Sequence, residues 1–264
     1  MSGFIDSHCH LDLPHFDSDR AEVVQRAIVS GVDLMVNPGV DLQSCRKILT
    51  LTRLHPHIIP AVGIHPNELN VGFRSDIEEL RQILRSEKVA AIGEIGLDNH
   101  HKRVSAELQI SGLMAQLDLA DEFCLPVIIH SRDSLVQITP ILVEWASRRV
   151  SRGSKPPFGV MHSFEGDLDA ARHFIEIGFL VGLAGPVTYK NAAVKIEIAR
   201  EIPLESLILE TDSPYLTPVP FRGQRNEPSY LPLIGLRTAI IRGCKEEQIR
   251  EATSRNAHAL FLSE

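Results

Sequence analysis

The amino-acid sequence predicts a single-domain (β/α)8 TIM barrel, in which eight parallel strands alternate with helices. Eight short β-rich apolar runs recur along the chain, and segments with helical periodicity lie between them. Several runs are apolar almost throughout, which is typical of parallel strands covered on both faces. Dividing 264 residues among eight strand–helix units gives about 33 residues each, and barrels of this kind typically have ~250 residues.

The strands are predicted from these apolar runs, taken in chain order. They are residues 4–8, 33–37, 58–64, 89–94, 126–130, 159–162, 179–183 and 207–210.

The helices between them are predicted from three- and four-residue spacing and from end signals. One helix face is formed by Ile110, Leu113, Met114, Leu117, Ala120 and Cys124. Ser75 with Glu78 has the pattern of a capping box that opens another helix. Gly31 and Gly178 stand where helices should end before strands. Residues 148–157 are basic and rich in turn formers, and they should end a helix, whereas residues 213–226 should form a long loop.

The alternative architecture is a doubly wound open sheet. No Gly-x-Gly-x-x-Gly follows the first strand, which disfavours the nucleotide-binding version of that fold. No linker, low-complexity segment or internal repeat is visible beyond the strand–helix rhythm. We therefore expect one domain that covers residues 1–264.

The composition limits which partners are plausible. Lysine plus arginine number 27 against 34 aspartate plus glutamate, so the formal net charge is −7. An acidic chain is poorly suited to binding nucleic acid through phosphate contacts alone. An anionic substrate would need a local positive charge, such as a bound metal ion. The four cysteines form no Cys-x-x-Cys pair, and neither a signal peptide nor a membrane-spanning apolar run is visible. These features predict a cytoplasmic protein without membrane contact, and no obligate protein partner is visible.

Histidines and carboxylates fall at the ends of the predicted strands. His8 and His10 are two residues apart in an extended segment and therefore point to one face, where they can chelate a metal. The carboxyl ends of all strands in a barrel meet at one face, where barrel active sites lie. The residues expected to converge there are His8, His10, Glu94, His130, His162 and Asp212.

Six short motifs surround these residues and extend beyond them. They are HCHLD at 8–12, GIHP at 63–66, GEIGLD at 93–98, PVIIHSR at 126–132, ETDSPYL at 210–216 and RGQRNEP at 222–228. Together these motifs resemble the TatD-type metal-dependent deoxyribonucleases, a branch of the amidohydrolase superfamily. The resemblance covers essentially the whole chain.

The resemblance implies a centre with two divalent cations. It places His8, His10, Glu94 and Asp212 around one cation, and Glu94, His130 and His162 around the second. Glu94 would be the bridge, since a carboxylate has two oxygens and can span cations ~3.5–4 Å apart. Imidazole ligands favour zinc, whereas carboxylates leave room for manganese or magnesium.

The function that the resemblance implies is hydrolysis of DNA phosphodiesters, with Asp212 as the general base. The acidic charge and a recessed pocket favour exonuclease-like action at single-stranded or frayed ends. His65 and Arg132 are predicted substrate contacts. The alternative for His65 is a turn histidine before Pro66. For Arg132 it is a salt bridge in the barrel rim, which the sequence slightly favours.

Two other functions stay open on the sequence alone. One is an amide or ester hydrolase of the same superfamily, such as an aminoacyl-tRNA deacylase. The other is a non-enzymatic metal-binding protein, which the complete ligand set disfavours. Glu165, and Asn99 with the two histidines after it, depart from what relatives usually carry. Both departures lie in loops at the rim of the predicted site. They leave the metal ligands intact, and they leave the identity of the substrate undecided.

Overall fold

The computed structural model describes residues 3–262 and has one sheet of eight parallel strands within that range. The strands pair in chain order from first to last, with no crossover. This order is that of a barrel, so the predicted fold class is confirmed and the doubly wound alternative is excluded. The strands are β1 (Phe4–Asp6), β2 (Val32–Pro38), β3 (Ile58–Val62), β4 (Ala91–Asp98), β5 (Val127–Arg132), β6 (Gly159–Met161), β7 (Phe179–Leu183) and β8 (Leu207–Leu209).

Nine α-helices lie within the described range, seven of them between consecutive strands and two after β8. None of these helices combines the length and the hydropathy that crossing a bilayer requires. The helices are α1 (Arg20–Val29), α2 (Leu42–Leu54), α3 (Phe73–Ser86), α4 (Ala106–Glu122), α5 (Leu135–Ser151), α6 (Leu168–Glu176), α7 (Ala193–Glu201), α8 (Leu231–Arg242) and α9 (Glu246–Phe261).

The first and last strands meet just beyond their carboxyl ends. The backbone N–H of Ser7 donates to the carbonyl of Leu209 at 3.1 Å, and the N–H of Asp212 donates to the carbonyl of His8 at 2.9 Å. These bonds join the segment after β1 to the segment after β8. Two of the predicted metal residues are therefore fixed next to each other by main-chain hydrogen bonds.

The barrel interior is apolar, and α9 closes it at the amino ends of the strands. Each strand contributes one buried side chain to this inner cluster, which packs against Ala257, Leu260 and Phe261 of α9. Since this apolar layer closes the amino ends, an open pocket in the barrel can form only at the carboxyl ends. The strand residues are Ile5, Val36, Ala61, Ala91, Ile128, Val160, Leu180 and Ile208.

The predicted apolar face of α4 is confirmed in its centre and wrong at two positions. Leu113, Leu117 and Ala120 are buried against the sheet. Met114 is exposed, because it lies beside the buried stripe, and Cys124 lies beyond the end of the helix.

The predicted helix ends are partly confirmed. Gly31 and Gly178 follow α1 and α6 with φ of 87° and 92°, as expected of glycines that end helices. The prediction that Ser75 and Glu78 form a capping box is wrong, because α3 begins at Phe73, two residues before Ser75. The Ser75 hydroxyl instead donates to the carbonyl of Gly72 at 2.9 Å, inside the first turn. Residues 213–226 form no helix or strand, as predicted.

Gly96→Ala tests how tightly β4 and β5 pack beside the site. Gly96 has φ of 151°, and a Cβ there would lie 1.8 Å from the carbonyl oxygen of His130. We expect a loss of more than about 3 kcal/mol in the free energy of unfolding, since a backbone atom cannot move aside without separating the strands. Urea denaturation measures this loss.

Gly153→Ala is the matched control. Gly153 also has a positive φ, 85°, but a Cβ there would meet open space. Only the backbone strain remains, which costs about 1–2 kcal/mol. Equal losses in the two variants would show that contact with β5 does not constrain Gly96.

Candidate metal centre

The predicted site residues gather in one pocket at the carboxyl ends of the strands. The pocket has a volume of about 540 Å³. Five of the six predicted metal residues line it, and the sixth, His8, is fully buried beneath it. Both predicted substrate contacts, His65 and Arg132, also line it. The remaining lining residues are Leu13, Val40, Asn67, Glu68, Asp98, His101 and Tyr215.

Four of these side chains direct one atom each toward a common point. His8 Nε2 and His10 Nε2 are 3.1 Å apart, and they lie 3.4 and 3.6 Å from Glu94 Oε2. Asp212 Oδ1 is 3.9 Å from His8 Nε2 and 3.7 Å from His10 Nε2. Ligands held 2.0–2.1 Å from a tetrahedral ion are about 3.4 Å from one another. The donor atoms therefore have the chemistry and the spacing that a divalent cation requires.

The other oxygen of Glu94 faces a second set of imidazoles. Glu94 Oε1 is 2.7 Å from His130 Nδ1 and 3.8 Å from His162 Nε2. The ring of His162 stacks on that of His8, with centroids 3.5 Å apart. The two oxygens of Glu94 thus face different imidazoles, as expected of a bridging carboxylate. His162 lies between the two sets, because it also forms a group with His8 and Glu94 and its Nε2 is 3.8 Å from Asp212 Oδ1.

The position of Glu94 depends on a bulge within β4. Ile92 pairs with Val127, whereas Ile95 pairs with Ile129, so β4 holds one extra residue between the two pairs. The extra residue redirects the Glu94 side chain into the barrel. Glu94 was predicted to end its strand, but β4 continues for four residues beyond it. The prediction failed because apolar patterning does not reveal a bulge.

His130 was likewise predicted at a strand end and lies inside β5. The strand continues for two residues to Arg132, because β4 and β5 remain paired up to Asp98. His162 was predicted as the last residue of its strand and instead directly follows β6, whereas Asp212 lies in the irregular segment after β8, as predicted.

Two carboxylates that were not predicted as site residues stand behind the imidazoles. Asp98 Oδ2 is 3.3 Å from His130 Nε2, and Glu210 Oε1 is 3.2 Å from His162 Nδ1. A carboxylate on the far nitrogen fixes the ring orientation and the tautomer of a metal-binding histidine. Glu210 is the last residue of the predicted strand 207–210, so its position could have identified it. Asp98 lies four residues beyond the predicted end of its strand, and only its place in the GEIGLD motif pointed to it.

Asp98 also belongs to a third group of potential ligands, with His65 and His130. The backbone N–H of Asn67 donates to His65 Nδ1 at 3.1 Å, which leaves the proton of a neutral His65 on Nε2. Nε2 lies 3.9 Å from Glu94 Oε1. His65 therefore presents a hydrogen-bond donor to the pocket, and not a lone pair.

A buried aspartate connects the two segments that carry the first set of ligands. Asp6 accepts from the Thr211 hydroxyl at 2.6 Å and from the Thr211 N–H at 2.9 Å. It also accepts from the His8 N–H at 3.3 Å. Burial raises the pKa of Asp6 to about 8. Asp6 therefore fixes the backbone on both sides of the cluster, next to His8 and to Asp212.

The pKa values of His8, Asp212 and Glu94 are shifted within the first set. Burial lowers the pKa of His8 to about 3 and raises the pKa of Asp212 to about 6. Burial would also raise the pKa of Glu94, but the charge of the nearby imidazoles, His8 first, holds it well below its ordinary value. Glu94 is therefore an anion within this cluster, which suits the binding of a cation.

The second set of imidazoles is more basic. Burial lowers the pKa of His130, but hydrogen bonds to Asp98 and Glu94 outweigh it and raise the pKa to about 9. Burial also lowers the pKa of His162. The negative charges of Glu210 and then Asp212 outweigh this effect and raise the pKa to about 10. Since a histidine must be neutral to bind a cation, a cation at this set competes with protons.

Arg132 forms an ion pair at the rim of the pocket. Its guanidinium contacts the carboxylate of Glu165, which lies in the loop after β6. This is the salt bridge that the sequence slightly favoured for Arg132. The side chain of Arg132 is nevertheless 44% exposed, so the guanidinium remains accessible from the pocket mouth.

A (β/α)8 barrel whose mouth holds clustered histidines and carboxylates belongs to the class of metal-dependent barrel hydrolases. The chain is a member of the TatD family: the family model described as TatD related DNase matches residues 5–262. The protein is thus a metal-dependent hydrolase, and its His, Glu and Asp clusters are candidate metal sites.

Individual relatives agree with this assignment. The uncharacterized metal-dependent hydrolase YabD of Bacillus subtilis is 36% identical over 256 residues, which cover 97% of this chain and 98% of YabD. The 3'-5' ssDNA/RNA exonuclease TatD of Salmonella typhimurium is 30% identical over 262 residues, which cover 97% of this chain and 98% of that exonuclease. The crystal structure of YjjV, a TatD homologue from Escherichia coli, superposes with a TM-score of 0.90 at 32% identity, covering 99% of this chain and 98% of YjjV.

Proposed function

We propose that the protein is a deoxyribonuclease that removes nucleotides from single-stranded or frayed DNA ends with two divalent cations. The observation that carries this proposal is the position of Glu94, whose two oxygens face two different groups of imidazoles within one pocket. The name of the Salmonella relative, an exonuclease of single-stranded DNA and RNA, supports the choice of substrate.

The proposed ligands follow the two sets of donor atoms. His8, His10, Glu94 and Asp212 would hold the first cation, and Glu94, His130 and His162 the second. Zinc, manganese and magnesium are compatible with a mixture of imidazole and carboxylate ligands. Cations bound in such a pair lower the pKa of a water and neutralise the charge that develops on a phosphate.

Asp212 is the proposed general base. Its side chain lines the pocket and is 13% exposed, so one carboxylate can face both the ligand cluster and an entering substrate. Oδ1 faces the cluster, at 3.9 Å from His8 and 3.7 Å from His10. In this role Asp212 accepts the proton of the water that attacks phosphorus, and the 3′ or 5′ oxygen leaves.

His65 and Arg132 are the proposed substrate contacts. His65 offers the N–H at Nε2, because Nδ1 already accepts from the Asn67 backbone. A neutral N–H donor suits a non-bridging phosphate oxygen. Arg132 adds a positive charge at the rim, where the phosphate next to the scissile bond would lie.

Asp98 and Glu210 are proposed to position the ligands His130 and His162. Asp98 itself is held by the side chains of Asn67 and His101, each 2.8 Å from Oδ2. Such carboxylates fix the imidazole ring and typically contribute 10–100-fold to metal affinity or activity.

Action at strand ends is tested by comparing linear with covalently closed circular single strands. The pocket is recessed and lined by four carboxylates and a single arginine, so we expect a terminus to enter and a closed strand to be excluded. Linear strands should be shortened and circles left intact, and chelator should abolish the reaction. The Michaelis constant should change little with salt, since few phosphates are held by lysine or arginine.

The measurement is the length of end-labelled oligonucleotides over time in a salt series. Cleavage of circles as fast as linear strands would contradict action at ends. A salt slope corresponding to roughly six or more phosphates, at about 0.7 per phosphate of a single strand, would contradict the proposed mode of binding. Aminoacyl-tRNA and simple esters, assayed with the same preparation, separate the nuclease from the related ester hydrolases.

A further inference from the structure

Among the described residues that line the pocket, Arg132 is the only lysine or arginine. Its guanidinium already forms an ion pair with Glu165. Four carboxylates line the same pocket: Glu68, Glu94, Asp98 and Asp212. The partner of Arg132, Glu165, does not line the pocket and approaches it from the loop after β6. The charge that would attract a second phosphate is therefore occupied before any substrate arrives.

The segment that carries Glu165 is held in place. Phe164, the residue before it, is buried, and its carbonyl accepts a hydrogen bond from the Lys195 ammonium of α7. The N–H of Ser163 donates to the buried carboxylate of Glu210. These contacts fix the backbone next to Glu165, so the carboxylate stays within reach of Arg132.

The ion pair lies at the rim, whereas the ligand cluster is buried. The side chains of Arg132 and Glu165 are 44% and 31% exposed, compared with 4% for Glu94 and 6% for His162. A phosphate that reaches the cluster is therefore deeper than Arg132. With a nucleic-acid strand bound at the cluster, the group nearest to Arg132 would be the next phosphate along the strand, where the substrate leaves the pocket.

We infer that Glu165 determines substrate specificity by competing with the phosphate next to the scissile one for the guanidinium of Arg132. This inference rests on the proposed phosphodiesterase function. A flanking phosphate must displace the carboxylate to reach Arg132, and the displaced carboxylate then lies near the phosphate. Substrates with a single phosphodiester bind without this exchange, so Glu165 selects against longer anions.

The test compares a thymidine dinucleotide, which has one phosphodiester and no terminal phosphate, with a thymidine pentanucleotide. Glu165→Gln keeps the size of the side chain and removes its charge. We expect it to lower the Michaelis constant for the pentanucleotide by about three- to five-fold, since exposed ion pairs have effects of this size. The constant for the dinucleotide should stay unchanged, as should kcat for both.

Asp169→Asn is the matched control, because it removes the same charge from α6. Asp169 is 94% exposed and pairs only weakly with Arg172, at 3.7 Å. It should leave both Michaelis constants unchanged. Adding Arg132→Gln to Glu165→Gln should abolish the gain for the pentanucleotide, because the competition requires the guanidinium.

An unchanged pentanucleotide constant in Glu165→Gln, or equal decreases for both substrates, would overturn the inference. A gain of the same size in Asp169→Asn would also overturn it, since net charge would then explain the effect. Failure of the proposed function is distinguishable, because the wild-type protein would then hydrolyse neither nucleotide with any divalent cation.

Discussion

Asp212→Asn is expected to hydrolyse DNA about 10²–10⁴-fold more slowly than the wild-type protein while retaining most of its metal. Asparagine keeps an oxygen at the position of Oδ1, which lies 3.7 Å from His10 Nε2 and 3.8 Å from His162 Nε2. It cannot accept a proton from the attacking water. The variant therefore separates proton transfer from metal binding, and kcat together with metal content per chain measures the two effects.

Asp133→Asn is the control for loss of a negative charge at the mouth of the barrel. Asp133 is 64% exposed and lies 3.1 Å from His100 Nδ1, away from the ligand cluster. It should keep wild-type turnover and metal content. Near-normal turnover of Asp212→Asn with full metal would show that another group is the base.

The sequence predicted the fold well because the sheet is covered on both faces. The three shortest strands, β1, β6 and β8, are buried at every position, as are β4 and β7. The strands β2, β3 and β5 each have partly or fully exposed positions, but at least half of their side chains are also buried. Buried strands of this kind appear in the sequence as largely apolar runs. The whole of β4, for example, is buried, from Ala91 to Asp98. Such runs locate strands reliably and leave their ends uncertain.

The ends of β4 and β5 could not be predicted because polar site residues lie inside these strands. Glu94 and His130 are each the first polar residue after an apolar run, and such a residue indicates the end of a strand. The structure continues both strands, since the bulge at Glu94 turns that side chain inward without ending the pairing. A strand ends where its hydrogen bonds to the neighbouring strand end, and a single sequence does not reveal where those hydrogen bonds stop.

The convergence of the predicted ligands could be derived from topology, whereas the role of Asp6 between their two segments could not. His8 and Asp212 lie more than 200 residues apart, and the barrel order alone brings their strands together. Asp6, by contrast, is one polar residue among apolar neighbours in β1. Its hydrogen bond with Thr211 depends on how the first and last strands meet when the barrel closes. Composition and residue spacing do not predict that arrangement.

Glu94→Gln is expected to lose metal from both proposed positions, whereas His162→Ala should lose it mainly from one. Glu94 Oε2 lies 3.4 Å from His8 Nε2, and Oε1 lies 2.7 Å from His130 Nδ1. The substitution keeps the shape of the side chain and removes the negative charge that faces both groups of imidazoles. Since metal affinity depends on deprotonated ligands, removing this anion should weaken binding more than removing one neutral imidazole.

Metal content per chain after dialysis measures the difference, with circular dichroism to verify that each variant is folded. His173→Ala, an exposed histidine near the end of α6, is the control for loss of a histidine elsewhere and should retain full metal. We expect the order of retained metal to be His173→Ala, then His162→Ala, then Glu94→Gln. Equal or greater loss in His162→Ala would show that the two oxygens of Glu94 serve one cation, and the second set of imidazoles would then require another anionic ligand.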